Sequence, residues 1–478
     1  MSDDLHFLSL EQLAQALRSK TVSAVEITEH FLDRMQALDG PLNAFRLTTP
    51  ERAVDAAKAA QLLLERGQAR GPLHGLPYAA KDLYDVAGLP TSAGARVLEN
   101  AVAGRDCATV ARLAQAGMVL LGKTNTVQFA YGGVGINHHH GTPHNPWHPQ
   151  AHAPGGSSSG SGVAVASGMT PMALGTDTGG SVRIPASLCS VTGLKTTVGR
   201  ISRAGVYPLS WTLDSVGPLA RSAADCALII EAIAGHDDED PSTHGQAPVR
   251  GLHAALDGDI RGLRVAFAES VFWEEVDTEV AAAVRACGAV FKARGASVTS
   301  ILFECAEQAR ALNPRGLIIA AEAYTLNRRL ADERFDELDP IVAERIIRGR
   351  DVAAHEYLRD MRAREALRGQ TIEALRDIDI LLCPATMYPP RPLAQIDADA
   401  QTYGTFNLGY LRNTSIGNIL NLCGLSVPCG FTAQGLPIGL MLYAKPFDEL
   451  SALRAAHAFQ LETDWHLRTP DLGWAQPA

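Results

Sequence analysis

Apolar residues recur at helical spacing near the amino terminus, and these stretches begin with residues typical of helix starts. The first two predicted helices each open with a serine three residues before a Gln or Glu, in the pairs Ser9/Gln12 and Ser23/Glu26. This spacing is that of a capping box, so helices are expected to begin near residues 9 and 23. Thr49-Pro50 predicts a third, alanine-rich helix, because proline is favoured in the first turn, and Gly67 marks its expected end.

Further along the chain, short apolar runs alternate with longer helical stretches. The runs that we predict to be strands are 118–121, 172–174, 263–268, 378–383 and 438–443. The stretches predicted to be helices include 109–116, 276–293 and 451–463. Strands interleaved with helices are typical of an α/β fold with a mostly parallel sheet. Residues 236–251, rich in Asp, Pro and Gly, are predicted to form a loop.

Composition adds limits on partners and location. The 478 residues are 46% hydrophobic and 20% charged, which is enough for a large buried core. The formal net charge of −10 argues against nucleic acid or an anionic membrane as the main partner. We see no signal-peptide pattern, no membrane-spanning apolar run and no CxxC pair among the eight cysteines. A cytoplasmic protein with reduced thiols is therefore expected.

Two Gly-Gly-Ser turns, at residues 155–157 and 179–181, carry the candidate chemistry. Their serines stand 24 residues apart, and the apolar run 163–174 joins them. A glycine pair lets the backbone adopt positive φ and approach a ligand closely, and the serine after it presents a hydroxyl there. Because serine is a poor nucleophile without a base within hydrogen-bond reach, the pattern points to a serine hydrolase that lacks the usual histidine.

Residues 155–185 resemble the signature of the amidase signature family. The other segments that carry the resemblance are 75–82 (Gly-Leu-Pro-Tyr-Ala-Ala-Lys-Asp), 120–125, 193–196, 214–221, 421–428 and 435–439. The likeness spans roughly residues 5–235 and 375–465. It implies a large mixed, mostly parallel β-sheet flanked by helices on both faces, in one domain over residues 1–478. The signature core would be about 70–235, and a variable helical elaboration about 300–415.

The resemblance also implies roles for individual residues. Position by position, Ser181 is the nucleophile, Ser157 a bridging serine that follows a cis peptide bond, and Lys81 the base. Asp177 and Arg183 would brace the nucleophile loop. The oxyanion hole would be formed by four backbone N–H groups, those of Thr178, Gly179, Gly180 and Ser181.

A lysine that acts as a base must be neutral at working pH. The ordinary lysine pKa of about 10.4 would have to fall by about 3 units, which is roughly 4 kcal/mol of differential solvation. The apolar residues 76–80 before Lys81 suggest a buried position where desolvation supplies that shift. Arginine could not replace it, because arginine does not deprotonate. For Lys123 and Lys195, also in family-like segments, we expect structural roles.

Other motifs give competing interpretations. Gly156 to Gly160 fits the G-x-S-x-G nucleophile elbow and would make Ser158 the nucleophile, but residues 145–149 before it have a loop composition instead of a strand. Six histidines suggest a metal site, at positions 138, 139, 140, 144, 148 and 152. No Cys or acidic residue accompanies them and prolines interrupt them, so we expect a pocket-edge or surface loop and no metal. Three residues could line a substrate channel or pack in the core: Ala130, Tyr131 and Trp147.

The sequence thus predicts an amidase that hydrolyses a carboxamide C–N bond through an acyl-enzyme, with no cofactor. The expected substrate is a small amide or carbamate, its specificity set by residues 300–415 and 129–152; a homodimer is left open. One alternative is the glutaminase (A) subunit of a tRNA-dependent amidotransferase, although such subunits typically have Gln where this chain has Ile184. A hydrolase of carbamates or urea derivatives and a binding protein without the chemistry are the others.

Overall fold

Strands drawn from residues 45 to 444 form one eleven-stranded sheet in the computed structural model, which describes residues 5–313 and 316–476. In chain order the strands are β1 (Phe45–Thr48), β2 (Pro77–Lys81), β3 (Val119–Thr124), β4 (Met172–Asp177), β5 (Thr192–Lys195), β6 (Ser215–Ala220), β7 (Arg264–Ala268), β8 (Ser297–Ile301), β9 (Ile380–Pro384), β10 (Cys423–Phe431) and β11 (Pro437–Ala444). Their order across the sheet is β1-β3-β2-β4-β6-β5-β10-β11-β9-β7-β8.

The sheet is mixed, and it is less parallel than the sequence predicted. Strand β2 pairs in parallel with β3 and β4, and β7 pairs in parallel with β8 and β9. The other six ladders among the described residues are antiparallel. The expectation of a mostly parallel sheet was wrong because it missed β5, β6 and β10. Strands β10 and β11 form a hairpin, which needs only a short turn and no crossover helix.

The helices observed in the described residues are α1 (Leu10–Arg18), α2 (Ala24–Leu42), α3 (Pro50–Glu65), α4 (Ala108–Gln115), α5 (Ser159–Ala166), α6 (Arg183–Cys189), α7 (Ala223–Ile233), α8 (Thr278–Ala293), α9 (Glu304–Leu312), α10 (Leu317–Glu333), α11 (Pro340–Ile347), α12 (Ala354–Ala374), α13 (Leu393–Ile396), α14 (Ala400–Ile419) and α15 (Glu449–Glu462). Ser9 and Ser23 both form the predicted capping boxes. Helix α3 ends before Gly67, whose φ of 68° is left-handed, as expected for a helix stop.

The predicted elements match the observed ones to within a few residues. All five predicted strands are present, as β3, β4, β7, β9 and β11, and the predicted helices correspond to α4, α8 and α15. The predicted loop 236–251 contains only one short helical turn, Pro241–Thr243. In the described part of the chain, no helix is both long and apolar enough to cross a membrane.

The topology brings the candidate chemistry to one edge of the sheet. Every residue of β2, β4 and β6 is buried, because helices cover both faces of the sheet there. Since β2 and β4 are neighbouring parallel strands, their carboxyl ends lie side by side. Lys81 ends β2, and the loop that carries Ser181 follows Asp177 at the end of β4.

Candidate active site

Lys81 and Ser157 are in direct contact at the carboxyl end of β2. Lys81 Nζ lies 2.7 Å from Ser157 Oγ and 2.8 Å from Thr176 Oγ1, and the lysine and Ser157 are both completely buried. The peptide bond between Gly156 and Ser157 is cis, as the resemblance implied. The structure thus brings together two of the three residues expected to act in proton transfer, and it adds Thr176 as a third contact.

The electrostatic setting of Lys81 favours a neutral amine. Burial lowers the pKa of Lys81 to about 7, against an opposing effect of the negative charges of Asp177 and Asp214. No carboxylate among the described residues forms an ion pair with its ammonium group. A large fraction of Lys81 is therefore unprotonated near neutral pH, which is the condition for a general base.

Ser181 lies in the same loop cluster, where its carbonyl oxygen accepts a hydrogen bond from Ser158 N at 3.2 Å. Its side chain is nearly buried, with 3% of the residue exposed. Across residues 5–313 and 316–476, the Ser181 hydroxyl forms no hydrogen bond, and a relay from Ser181 to Ser157 is not closed. Catalytic hydrogen bonds are often long in ligand-free structures and shorten in the substrate complex.

The loop between β4 and α6 presents bare backbone donors. Within the described residues, the N–H groups of Thr178, Gly179, Gly180 and Ser181 have no protein acceptor. Gly180 has a φ of 140°, and a Cβ there would lie 2.1 Å from Thr414 Oγ1, so only glycine fits. Thr414 on α14 donates to the Gly179 carbonyl at 2.6 Å, which fixes the loop from the other side.

Asp177 and Arg183 form a fully buried ion pair that closes the nucleophile loop. Arg183 Nη2 lies 2.9 Å from Asp177 Oδ1, and the same guanidinium donates to Asn418 and to Tyr443 Oη. Asp177 also accepts from Val182 N at 3.1 Å. Burial raises the pKa of Asp177, but the charge of Arg183 outweighs it and lowers the pKa to about 2.

Replacing Arg183 by methionine is expected to destabilise the protein by about 3–5 kcal/mol, because it leaves the Asp177 charge buried without its partner. Urea denaturation of the variant should show this loss as a lower midpoint with an unchanged slope. As a matched control, Arg350→Met removes an exposed arginine next to Asp351, and its effect should stay below about 0.5 kcal/mol. Equal stability of the two variants would contradict the bracing role.

The three expected substrate-lining residues have separate locations. Ala130 lines a cavity of about 240 Å³ together with Thr176, Thr178 and Asp214. Tyr131 lines a larger cavity of about 990 Å³ with residues of α11 and α14. Trp147 lines neither: its ring packs on Phe431 and its indole N–H donates to the Cys189 carbonyl. An aromatic side chain near a signature motif is thus no guide to which face it occupies.

The six clustered histidines spread along one loop, with different partners. His138 bridges Asp339 and Asp397, and these contacts raise its pKa to about 9. His144 contacts the carbonyl of His148, whose ring packs against His152. In the part of the chain that the structure describes, no group of three or more His, Cys, Asp or Glu residues is arranged to hold a metal ion.

The alternative nucleophile elbow lacks the strand it requires. Residues 153–158 are irregular, and Ser158 Oγ is turned toward the backbone of Thr176, to whose carbonyl it donates at 3.3 Å. The two other signature lysines make structural contacts: Lys123 pairs with Asp82 at 2.7 Å, and Lys195 donates to the carbonyls of Thr196 and Leu422.

Sequence reasoning gave no role to several residues of the site. Thr176 was identifiable, because it belongs to the Gly175-Thr176-Asp177 segment before the nucleophile loop. Asp214 opens a family-like segment, but nothing in the sequence places it beside Thr178. Asn418 and Tyr443 reach the Asp177–Arg183 pair from α14 and β11, more than 230 positions away.

Comparison with known proteins gives consistent findings. A sequence profile described as Amidase matches residues 26–453. The A subunit of the glutamyl-tRNA(Gln) amidotransferase of Chloroflexus aggregans is 37% identical over 498 residues, covering 99% of this chain and 100% of that protein. The 2-amino-5-chloromuconic acid deaminase of Comamonas testosteroni is 39% identical over 440 residues, 92% of each chain. The crystal structure of native peptide amidase from Stenotrophomonas maltophilia superimposes with a TM-score of 0.82 at 28% identity, over 95% of this chain and 96% of that one.

Proposed function

The chain belongs to the amidase family and is a hydrolase of amide bonds, and on that premise we propose that Ser181 is its nucleophile, Ser157 its proton relay and Lys81 its base. The observation that carries the proposal is the buried contact of 2.7 Å between Lys81 Nζ and Ser157 Oγ. A neutral amine there can accept the Ser157 proton while Ser157 Oγ accepts that of Ser181. No histidine among the described residues takes part in this contact.

The reaction proceeds in two acyl transfers. Ser181 Oγ attacks the amide carbon, and its proton passes through Ser157 to Lys81 Nζ. The resulting oxyanion is held by the N–H groups of residues 178–181, which have no protein acceptor. Breaking the C–N bond returns the proton to the departing amine and leaves an ester on Ser181. Water then attacks the ester by the same route and releases the carboxylic acid.

The acyl-enzyme can be tested directly. Hexanamide, a plain primary amide, should release ammonia, and acid quenching during turnover should trap a hexanoyl group. Peptide mass analysis is expected to place that group on Ser181. Hydrolysis without any covalent adduct, in a quench faster than turnover, would oppose the proposed intermediate, whereas an adduct on another serine would reassign the nucleophile.

The larger cavity indicates which amides the enzyme prefers. Two guanidinium groups, of Arg345 and Arg348 on or beside α11, line it together with one carboxylate, of Glu344. Arg345 donates to the Tyr131 carbonyl at 2.6 Å and stacks over the Tyr131 ring. Within the described residues, neither arginine has an ion-pair partner. The cavity therefore has a net positive charge available to an anionic ligand.

Helix α14 connects this cavity with the nucleophile loop. Asn407 lines the cavity and accepts from Gly133 N at 2.7 Å, while Thr414, seven positions later, contacts the Gly179 carbonyl. Seven residues of helix span about 10 Å. An amide held at Ser181 could thus extend an anionic end toward Arg345 and Arg348. The similarity to a deaminase of a muconic acid supports this reading. We propose a small amide that carries a carboxylate as the substrate class.

Adipamate, which bears a carboxylate at the far end of a six-carbon amide, should be a better substrate than hexanamide. Replacing Arg348 by methionine is expected to lower kcat/KM for adipamate about 10- to 100-fold, as for loss of a charged hydrogen bond. With hexanamide, the same variant should stay within about twofold, since no charge is left unpaired. Arg350→Met, which removes a nearby arginine outside the cavity lining, is the control for both substrates. Equal losses with the two substrates would contradict carboxylate recognition.

The amidotransferase glutaminase remains the second candidate function because of the similarity along the whole chain. Glutamine differs from glutaramate only by its amino group, so these two amides separate the alternatives. A dedicated glutaminase should prefer glutamine strongly, whereas the function proposed above predicts that glutaramate is hydrolysed at least as well.

A further inference from the structure

Thr178, the first residue of the loop after β4, is held by a carboxylate that the reaction itself does not use. Its Oγ1 donates to Asp214 Oδ1 at 2.5 Å. Asp214 lies just before β6, and Asp177 pairs with Ser215 where β4 and β6 run antiparallel. The end of β4 and the start of β6 are therefore adjacent, and the contact ties the oxyanion loop to the neighbouring strand.

The second oxygen of Asp214 is also occupied. Asp214 Oδ2 accepts from the backbone N–H groups of Leu209 and Ser210, each at 2.9 Å. Backbone N–H groups can only donate, so these contacts require an acceptor, and an ionised carboxylate satisfies them together with Thr178. Burial raises the pKa of Asp214, and these donors oppose that effect.

A second buried carboxylate, Glu322 on α10, holds the loop in which Asp214 lies. It accepts hydrogen bonds from Ser210 Oγ, from Thr212 Oγ1 at 2.5 Å and from Tyr357 Oη at 2.6 Å. Ser210 is shared by both carboxylates, since its N–H donates to Asp214 and its hydroxyl to Glu322. Helix α10 thereby reaches the active site through a continuous series of hydrogen bonds.

We infer that Asp214 is a positioning residue that fixes the oxyanion loop through Thr178, and that Glu322 in turn fixes the loop of Asp214. The inference rests on the proposed function. Neither carboxylate touches the reacting atoms; their contribution is the orientation of the N–H groups in residues 178–181. Donors fixed in advance toward the developing negative charge cost no reorganisation during the reaction.

Charged groups on every side of Asp214 bear on the test. Lys81 feels the charges of Asp177 and Asp214, and both raise its pKa against the effect of burial. Arg203 donates to the Asp214 carbonyl at 3.2 Å and pairs with Asp240. The wall of the same cavity also includes one further carboxylate, that of Glu239. Removing the Asp214 charge should therefore lower the pKa of Lys81, whereas removing the Thr178 hydroxyl leaves that charge in place.

The test is a double-mutant cycle on hexanamide hydrolysis. Thr178→Val and Asp214→Asn should each lower kcat about 10- to 100-fold, with KM within about threefold of the parent. The double variant should fall no more than about threefold below the weaker single variant, because both remove the same contact. Losses that multiply, or an effect confined to KM, would overturn the inference. Glu322→Gln should give a smaller loss in kcat that is likewise not multiplied in combination with Asp214→Asn.

Two further measurements separate positioning from a loss of folding. Thr178→Ser restores the hydroxyl and should recover most of kcat, so equal activity of Ser and Val at this position refutes the role; this comparison stands even if Asp214→Asn does not fold. The rising limb of the pH–kcat/KM profile should move to lower pH in Asp214→Asn and stay in place in Thr178→Val. Ser181→Ala separates the two levels of proposal. If it still turns over, the proposed function fails; if only Thr178→Val is fully active, the positioning inference fails alone.

Discussion

Replacing Ser181 by alanine is expected to abolish amide hydrolysis and to leave the fold intact. The Ser181 hydroxyl has no hydrogen-bond partner in the described part of the chain, so its removal strands no buried polar group. It does remove the attacking oxygen, and without the ester intermediate kcat should fall by at least about 10⁴-fold. Ammonia release from hexanamide measures the loss. Calorimetry should find a Tm within about 2 °C of the parent.

Two serines in the neighbouring loop serve as matched controls. Ser159 Oγ is buried without a hydrogen-bond partner, so Ser159→Ala should retain full turnover. Ser158 is the nucleophile in the elbow interpretation, and Ser158→Ala should keep turnover within about tenfold, since only contacts to the Thr176 backbone are lost. Loss of activity in Ser158→Ala together with turnover in Ser181→Ala would reverse the assignment.

Features encoded by neighbouring residues were predictable from the sequence. The capping boxes at Ser9 and Ser23 depend on residues three positions apart, and both form as expected. Strands such as β4 and β11 are continuous apolar runs because helices bury both of their faces. The position of Lys81 at the end of such a strand likewise follows from the local pattern.

Features that depend on distant partners were not predictable in this way. Glu322 and Ser210 are 112 positions apart, and no local pattern indicates that the carboxylate is buried against the loop before β6. Arg345 resembles the other charged residues of a surface helix until the fold places it over Tyr131. The antiparallel partners β5, β6 and β10 were missed for the same reason: pairing direction is decided by contacts across the sheet.

The second largest effect is expected for Lys81→Ala. A general base contributes about 10²- to 10⁴-fold, and the buried amine of Lys81 has no substitute within reach, so kcat should fall by that factor. Ser157→Ala should lose less, because a water molecule can take the place of its hydroxyl. Lys445→Met, which removes a partly buried lysine bonded to the carbonyls of Leu375 and Ile378, is the matched control and should keep parental kcat.

The pH profile identifies the base more specifically than the loss of rate. Burial lowers the pKa of Lys81 to about 7, and only the unprotonated amine can accept the Ser157 proton. Below that pH the competent fraction falls about tenfold for each unit, so kcat/KM should rise with unit slope and level off above pH 7. Lys81→Ala should lack this limb while keeping its residual rate. Parental activity that persists unchanged to pH 5 would contradict a lysine base, since a group protonated at that pH could not draw the proton from Ser157.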